Sequence, residues 1–300
     1  MIDFASKSVF VTSCEAYSEV LSRMRERMAL SGYAKSTIIS YIRSVRDLME
    51  ASGKTPDKCT EEEVIGHLND YRERKNMSPS ALNTRIFGIL YLYREVYKDK
   101  KIRLDIPNPG RGKSIGDILT QTELEALFAA CHYPRQSAVL HLLYDTGLRA
   151  REVAHLRLGD FDKKNAVLYV RYGKGGKHRV VPYGVSVVDT LRAFYEVEKP
   201  TDYLFEGNRP GEPITVKSVQ YMVREAHRRT PVRKAVHPHT LRHTFAVHYI
   251  NNGGSLVRLQ QLLGHAHLST TLLYLRYAAI PLRDIDTPLD ILRGRSRKRT

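Results

Sequence analysis

Nineteen residues, AVLYVRYGKGGKHRVVPYG from Ala166 to Gly184, break a pattern that otherwise reads as helix along most of the chain. Two runs rich in Val and Tyr flank a turn holding Gly173, Gly175 and Gly176, the signature of a β-hairpin. With apolar positions spaced three and four apart on either side of it, the fold class expected is mainly α with a small β-sheet or hairpin.

The helical part before the hairpin divides in two. Ser36 is a candidate cap for a helix whose Ile38, Ile42, Val45 and Met49 form one stripe, ending before Gly53. Thr60 with Glu63 makes a capping box, and Ser78 with Pro79 opens a helix facing Leu82, Ile86, Ile89, Leu90 and Tyr93 inward. Basic residues, among them Lys35, Arg43 and Arg85, fall on the polar faces. The Pro- and Gly-rich DIPNPGRGKSIGD that follows reads as a linker. Its GRGKS is not a phosphate-binding loop, because Pro107 stands where that motif needs glycine and no strand precedes it. Residues 1–104 are therefore expected to form a helical domain, 105–118 a linker and 119–300 a second domain with a C-terminal tail. The second domain opens with a capping box from Thr120 to Glu123 and a staple of Leu119 on Leu124.

Net charge is +16 over 300 residues, with basic residues spread along the whole chain, which favours a polyanionic partner such as nucleic acid. No apolar run reaches the roughly 18 residues that a membrane span requires, and MIDFASKSVF lacks the apolar core of a secretory signal, so a cytoplasmic, nucleoid-associated protein without a membrane partner is expected. Cys14, Cys59 and Cys131 are too few and too scattered for a disulfide framework or a thiolate metal site.

The chemistry concentrates between His237 and Tyr277, which contain histidines, arginines and tyrosines but no carboxylate. A helix starting near Thr240 carries His239, Arg242 and His243 on one charged face and Leu241, Phe245 and His248 on a packed one. It should stop at Gly253 and Gly254. Ser255 then caps a helix with Leu256, Leu259 and Leu263 at core spacing, Gly264 ends it, and His265 follows at a turn. Ser269, Thr270 and Thr271 are candidate caps of a short helix presenting Tyr274. Gathered around a phosphodiester, arginines hold the non-bridging oxygens, histidines move protons or donate hydrogen bonds, and a tyrosine hydroxyl is a suitable nucleophile. Arginines that supply the positive charge make a metal unnecessary. His239 and His243 have metal-helix spacing, yet no third ligand or glutamate completes the pattern, so no metal is assigned.

The order and wording of these motifs, TGLRAREV, GKGGKHR, HPHTLRHTFA, LLGH and STTLLY, resemble the tyrosine recombinase (phage integrase) family, including its Xer-type members, closely over about residues 119 to 280. The N-terminal helices are similar to that family's SAM-like core-binding domain more loosely. The resemblance implies a two-domain architecture, with a helical core-binding domain and a mixed α/β catalytic domain. It assigns the catalytic set to Arg149, Lys174, His239, Arg242, His265 and Tyr274, with Glu152 orienting Arg149 or a neighbouring turn. It implies cleavage and rejoining of DNA through a 3′-phosphotyrosine and a Holliday junction, with no cofactor, metal or ATP. The partners implied are double-stranded recombination sites and a homotetramer on two sites, docked through the C-terminal segment PLRDIDTPLDIL; a second recombinase or accessory factor stays open. Lys35, Arg43, Arg85, Lys177 and Arg179 are candidate DNA contacts. Lys177 and Arg179 also compete with Lys174 for the acid role, and Tyr277 with Tyr274 for the nucleophile. His243 and His248 read as packing or hydrogen-bonding residues, and His237 as a surface group. Two other readings stand beside recombination: a type IB topoisomerase, which would relax supercoils without exchanging strands, and a DNA-binding protein that forms no covalent adduct.

Overall fold

The computed structural model describes residues 4–74, 79–98, 116–171, 178–209, 211–279, 289, 292 and 293. The chain divides into two compact units, Met1–Gly112 and Lys113–Thr300. Of the expected linker only 116–118 are among the described residues, and Lys174, Lys177 and most of the C-terminal segment lie outside them.

The first unit is helical: α1 (Phe4–Leu30), α2 (Lys35–Ser52), a 3₁₀ turn (Pro56–Lys58), α3 (Glu61–Arg74), α4 (Pro79–Tyr91) and a π-helical turn (Leu92–Val96). The predicted stripe of α2 is buried, packing Ile38, Ile42, Val45 and Met49 with Met24 and Met28 of α1 and with Leu92 and Val96. A second cluster joins Leu48 to Val64, Leu68, Leu82, Ile86, Ile89 and Tyr93. Gly88 lets α4 approach α2, since a Cβ there would come within 3.0 Å of the Tyr41 backbone. The box at Thr60 forms, with the Glu63 carboxylate accepting from the Thr60 amide at 2.9 Å and the Thr60 hydroxyl accepting from the Glu63 amide at 3.3 Å. The cap expected of Ser36 does not: α2 starts two residues earlier than that cap implies, behind an extended Ala34 that has no side chain able to cap, and Ser36 sits within the first turn.

In the second unit α5 (Gln121–Ala129), α6 (Pro134–Thr146) and α7 (Ala150–Ala154) precede a three-stranded antiparallel sheet of β1 (Phe161–Asp162), β2 (Val167–Val170) and β3 (Arg179–Pro182). Then come α8 (Val185–Glu198), α9 (Val216–Arg228), α10 (Pro238–Asn251), α11 (Leu256–Leu263), α12 (Leu268–Leu272) and a 3₁₀ turn (Leu273–Arg276). The hairpin pairs as the sequence indicates, Leu168 opposite Val181 and Val170 opposite Arg179. The two-residue β1 has no periodicity of its own and adds an edge the sequence does not announce. The box at Thr120 is complete, its hydroxyl accepting from Glu123 at 3.2 Å while the Glu123 carboxylate accepts from Thr120 at 2.8 Å. Leu119 and Leu124 are both buried in the main core, which α6 threads with Ala138, Val139, Leu140, Leu142 and Leu143.

Three local expectations change. Helix α10 is not packed on one face and charged on the other, for Leu241 and Arg242 are both buried and the helix runs through the interior. Ser255 occupies the cap position of α11 without a side-chain hydrogen bond. The cap position of α12 is His267, so Ser269 and Thr270 lie inside the helix and Thr271 is buried for another purpose. Among the described residues no helix is long and apolar enough to cross a membrane.

Candidate active site

Four elements of the second unit meet where α11 ends. A helix C-terminus exposes carbonyls with no intrahelical partner and carries partial negative charge. Here that charge is met by three arginines from three different elements. Leu262 O accepts from Arg179 Nε of β3 at 2.7 Å, Leu263 O from Arg242 Nη2 of α10 at 2.5 Å, and Gly264 O from Arg149 Nη2, just ahead of α7, at 3.4 Å. Gly264 is left-handed (φ 62°) and turns the chain so that His265 follows directly behind. The LLGH motif is thus a collar of carbonyls.

Glu152 supplies the second restraint. Its carboxylate accepts from the Arg149 amide at 2.8 Å and Arg149 Nη1 at 2.9 Å, and from Arg179 Nη1 and Nη2 at 2.8 Å each. Burial at 3% exposure would raise its pKa, but hydrogen bonds and charge from Arg179, then the contacts with Arg149, hold it down at about 2. Glu152 therefore orients Arg149, as expected, and ties Arg179 into the same network. Arg179, a candidate DNA contact by sequence, points inward instead, because the two-residue period of β3 puts it on the face of buried Val181. Arg85 is a similar correction in the first unit. Its guanidinium lies over the Tyr71 ring, 3.7 Å from the centroid, and Nη1 donates to Asp47 at 2.7 Å. Lys35 and Arg43 are exposed.

Arg242 is 2% exposed and donates to Gly147 O at 2.6 Å, to Leu263 O and to His265 Nε2 at 3.2 Å. Burial first, and then the charge of Arg149, lowers its pKa to about 9, which leaves it cationic at neutral pH. Gly147 is left-handed (φ 61°), and a Cβ there would lie 2.5 Å from the Phe245 ring, so glycine is what lets the loop carrying Arg149 approach α10. An arginine can only donate. His265 Nε2 must therefore accept, leaving Nδ1 to donate to the Thr271 hydroxyl at 3.0 Å. That neutral tautomer agrees with a His265 pKa lowered to about 4 by burial and then by Arg242 and Arg149. Thr271, a candidate cap by sequence, instead orients this imidazole through its hydroxyl.

Tyr274 closes the cluster. Its ring lies parallel to His265, 9° apart with centroids at 6.2 Å, and its hydroxyl is 3.0 Å from His243 Nδ1. Tyr274 is 3% exposed against 37% for Tyr277. Burial raises the phenol's pKa, while the charges of Arg242 and Arg149 and hydrogen bonding to Arg242 work against the rise. His239, at the open edge, stacks toward His243 with ring centroids at 6.2 Å; desolvation, then Arg242, lowers its pKa. His248 lies apart, with Nδ1 3.0 Å from the Tyr144 hydroxyl. Of the six residues expected to act together, Arg149, Arg242, His265 and Tyr274 are joined through shared partners, His239 flanks them, and Lys174 lies outside the described residues. Among the described residues no group of three or more His, Cys, Asp or Glu is arranged to hold a metal ion.

Two family models match the chain: the phage integrase family over residues 117–279, and the phage integrase N-terminal SAM-like domain over residues 20–102. A tyrosine recombinase of Thermosipho africanus is 31% identical over 278 residues, covering 88% of this chain and 94% of the relative. Tyrosine recombinase XerC of Bacillus licheniformis is 30% identical over 273 residues, with 84% and 89% covered. In fold, a lambda integrase (75–356) dimer bound to a COC′ core site matches with a TM-score of 0.72 at 19% identity, covering 84% of this chain and 96% of that one. With the arginine, histidine and tyrosine motifs folded into one cluster inside the matched region, the chain belongs to the phage integrase family and is a tyrosine recombinase, an enzyme that breaks and rejoins DNA strands.

Proposed function

We propose that the cluster is a single phosphodiester site in which the Tyr274 hydroxyl attacks the scissile phosphorus. The attack gives a 3′-phosphotyrosine and a free 5′-hydroxyl, and a partner strand's 5′-hydroxyl then reverses the step. Arg149 and Arg242 bind the non-bridging oxygens and offset the charge that grows in the transition state. His239 at the open edge adds a hydrogen bond. His265 acts mainly by holding Arg242, since both of its ring nitrogens are engaged within the protein. Lys174 protonates the leaving 5′-oxygen, and no metal or ATP takes part. Two sites and four protomers, docked through the C-terminal segment, complete the exchange through a Holliday junction; Lys35, Arg43 and Lys177 contact the duplex.

The observation that carries this reading is the restraint of like charges. Arg149, Arg179 and Arg242 are held together by three successive carbonyls and one carboxylate, beside a tyrosine hydroxyl. Guanidiniums repel one another, and folding pays to assemble them only where an anion gains from it. On a nicked suicide substrate the wild type should accumulate a covalent protein–DNA adduct, and Tyr274→Phe should form none while binding DNA nearly as well. An adduct undiminished in Tyr274→Phe refutes the assignment. Lys174→Ala should slow cleavage far less on a substrate whose 5′-leaving oxygen is replaced by sulfur; equal loss on both substrates removes Lys174 as the acid.

A further inference from the structure

The attack on phosphorus leaves one proton unaccounted for. The phenol keeps its proton at neutral pH because burial raises its pKa, so the O–H bond must break during the reaction. Arg242, which hydrogen-bonds toward the phenol oxygen, can only donate to it. Arg149 acts on the phenol through its charge and is likewise a donor only. His265 lies face-on to the ring, and its two nitrogens already engage Arg242 and Thr271. Among the described residues, the remaining polar contact of the hydroxyl is His243 Nδ1 at 3.0 Å, with the rings tilted by 49°.

We infer that His243 is a further catalytic residue: its Nδ1 holds the Tyr274 hydroxyl before attack and accepts the phenol proton as the oxygen bonds to phosphorus. The O–H electron pair stays on the phenol oxygen, which forms the new P–O bond. The P–O5′ bond breaks and its oxygen leaves with a proton from the acid. When a 5′-hydroxyl attacks the phosphotyrosine, His243 returns the proton to the departing phenolate. No oxidant, metal or further reactant is needed, and the step is symmetric in both directions, as strand exchange requires. This inference deepens the proposed reaction and rests on it.

The surroundings of His243 suit the role. Burial first, then His239, Arg242 and His237 on its own helix, lower its pKa to about 4, so it is neutral and able to accept. Tyr274 and His265 face it from the chain beyond α11. A DNA phosphate entering among these cations favours the imidazolium form, bringing the imidazole nearer the basicity that proton transfer needs. The proton thus moves when substrate is bound.

His243→Asn tests the idea, because the Asn oxygen can stand near Nδ1 and accept a hydrogen bond but cannot take a proton at neutral pH. Single-turnover adduct formation should fall about 100-fold at pH 7, within the usual range for losing a general base. The rate should then climb about tenfold per pH unit between 6 and 9, while the wild type varies little. Imidazole should restore part of the rate to His243→Ala. A rate within about threefold of wild type, or a loss with an unchanged pH profile, overturns the proposal. Should the variants fold poorly, the ¹⁵N shifts of His243 in the wild type decide: an unprotonated Nδ1 is required, and a protonated Nδ1 overturns the inference. Failure of the underlying reaction looks different, since wild type itself then forms no adduct or Tyr274→Phe still forms one.

Discussion

Glu152 shows how much rests on one side chain. It is buried, and both of its oxygens receive hydrogen bonds from two arginines. Removing one member of a buried ionic network leaves the others uncompensated, at a cost on the order of 3 kcal/mol. Glu152→Gln should therefore lower thermal stability by about that much and slow cleavage, because Arg149 loses its anchor. The sign with pH is fixed by the depressed pKa. Glu152 stabilises the fold fully above its ordinary value of 4.5, and that contribution fades as pH falls toward about 2. The stability gap between wild type and Glu152→Gln, followed by thermal melts, should narrow over that window; a gap that is constant with pH would show that the carboxylate charge is not what stabilises. At this scale the chemical groups are legible in the sequence, since Arg149, Arg242, His265 and Tyr274 stand in recognisable motifs. The roles of Arg179 and His243 are not, because they depend on which way a strand face or a ring nitrogen points.

At the scale of elements, α11 matters more for where it ends than for what it packs. Its last carbonyls gather Arg179, Arg242 and Arg149, and two left-handed glycines let the surrounding loops come close. Gly264→Ala forces a Cβ into a left-handed turn at a cost of about 1 kcal/mol. It should lower the melting temperature by a few degrees, and cleavage should fall more than DNA binding. Gly147→Ala should be worse, because its Cβ would meet the Phe245 ring at 2.5 Å; a melting temperature equal to wild type would contradict this packing. The helix ends and both capping boxes at Thr60 and Thr120 were legible because glycine and Thr-x-x-Glu carry a local code. The carbonyl collar was not, because every residue presents the same carbonyl and only the fold selects those three. The short β1 and the uncapped start of α2 were hidden for the same reason: neither has a side chain that marks it.

Over the whole molecule, the basic residues behind the net charge of +16 divide into those turned inward onto acidic partners and those open to a polyanion. Arg85 and Arg179 belong to the first group, and exposed Lys35 and Arg43 to the second. Replacing Lys35 or Arg43 with Ala should weaken DNA binding and lower the slope of log affinity against log salt by about 1 for each phosphate no longer neutralised. A salt slope unchanged in the double variant would take both residues off the DNA. The mainly helical fold was readable from periodicity, since that is a property of long segments. The central claim is narrower: the arginines, histidines and one phenol form one site, and Tyr274 is its nucleophile. The direct measurement is to trap the adduct on a nicked recombination site, digest the protein, and locate the nucleotide-bearing peptide by mass spectrometry. The modification is predicted on Tyr274; a nucleotide on Tyr277, or on any other residue, would contradict the account.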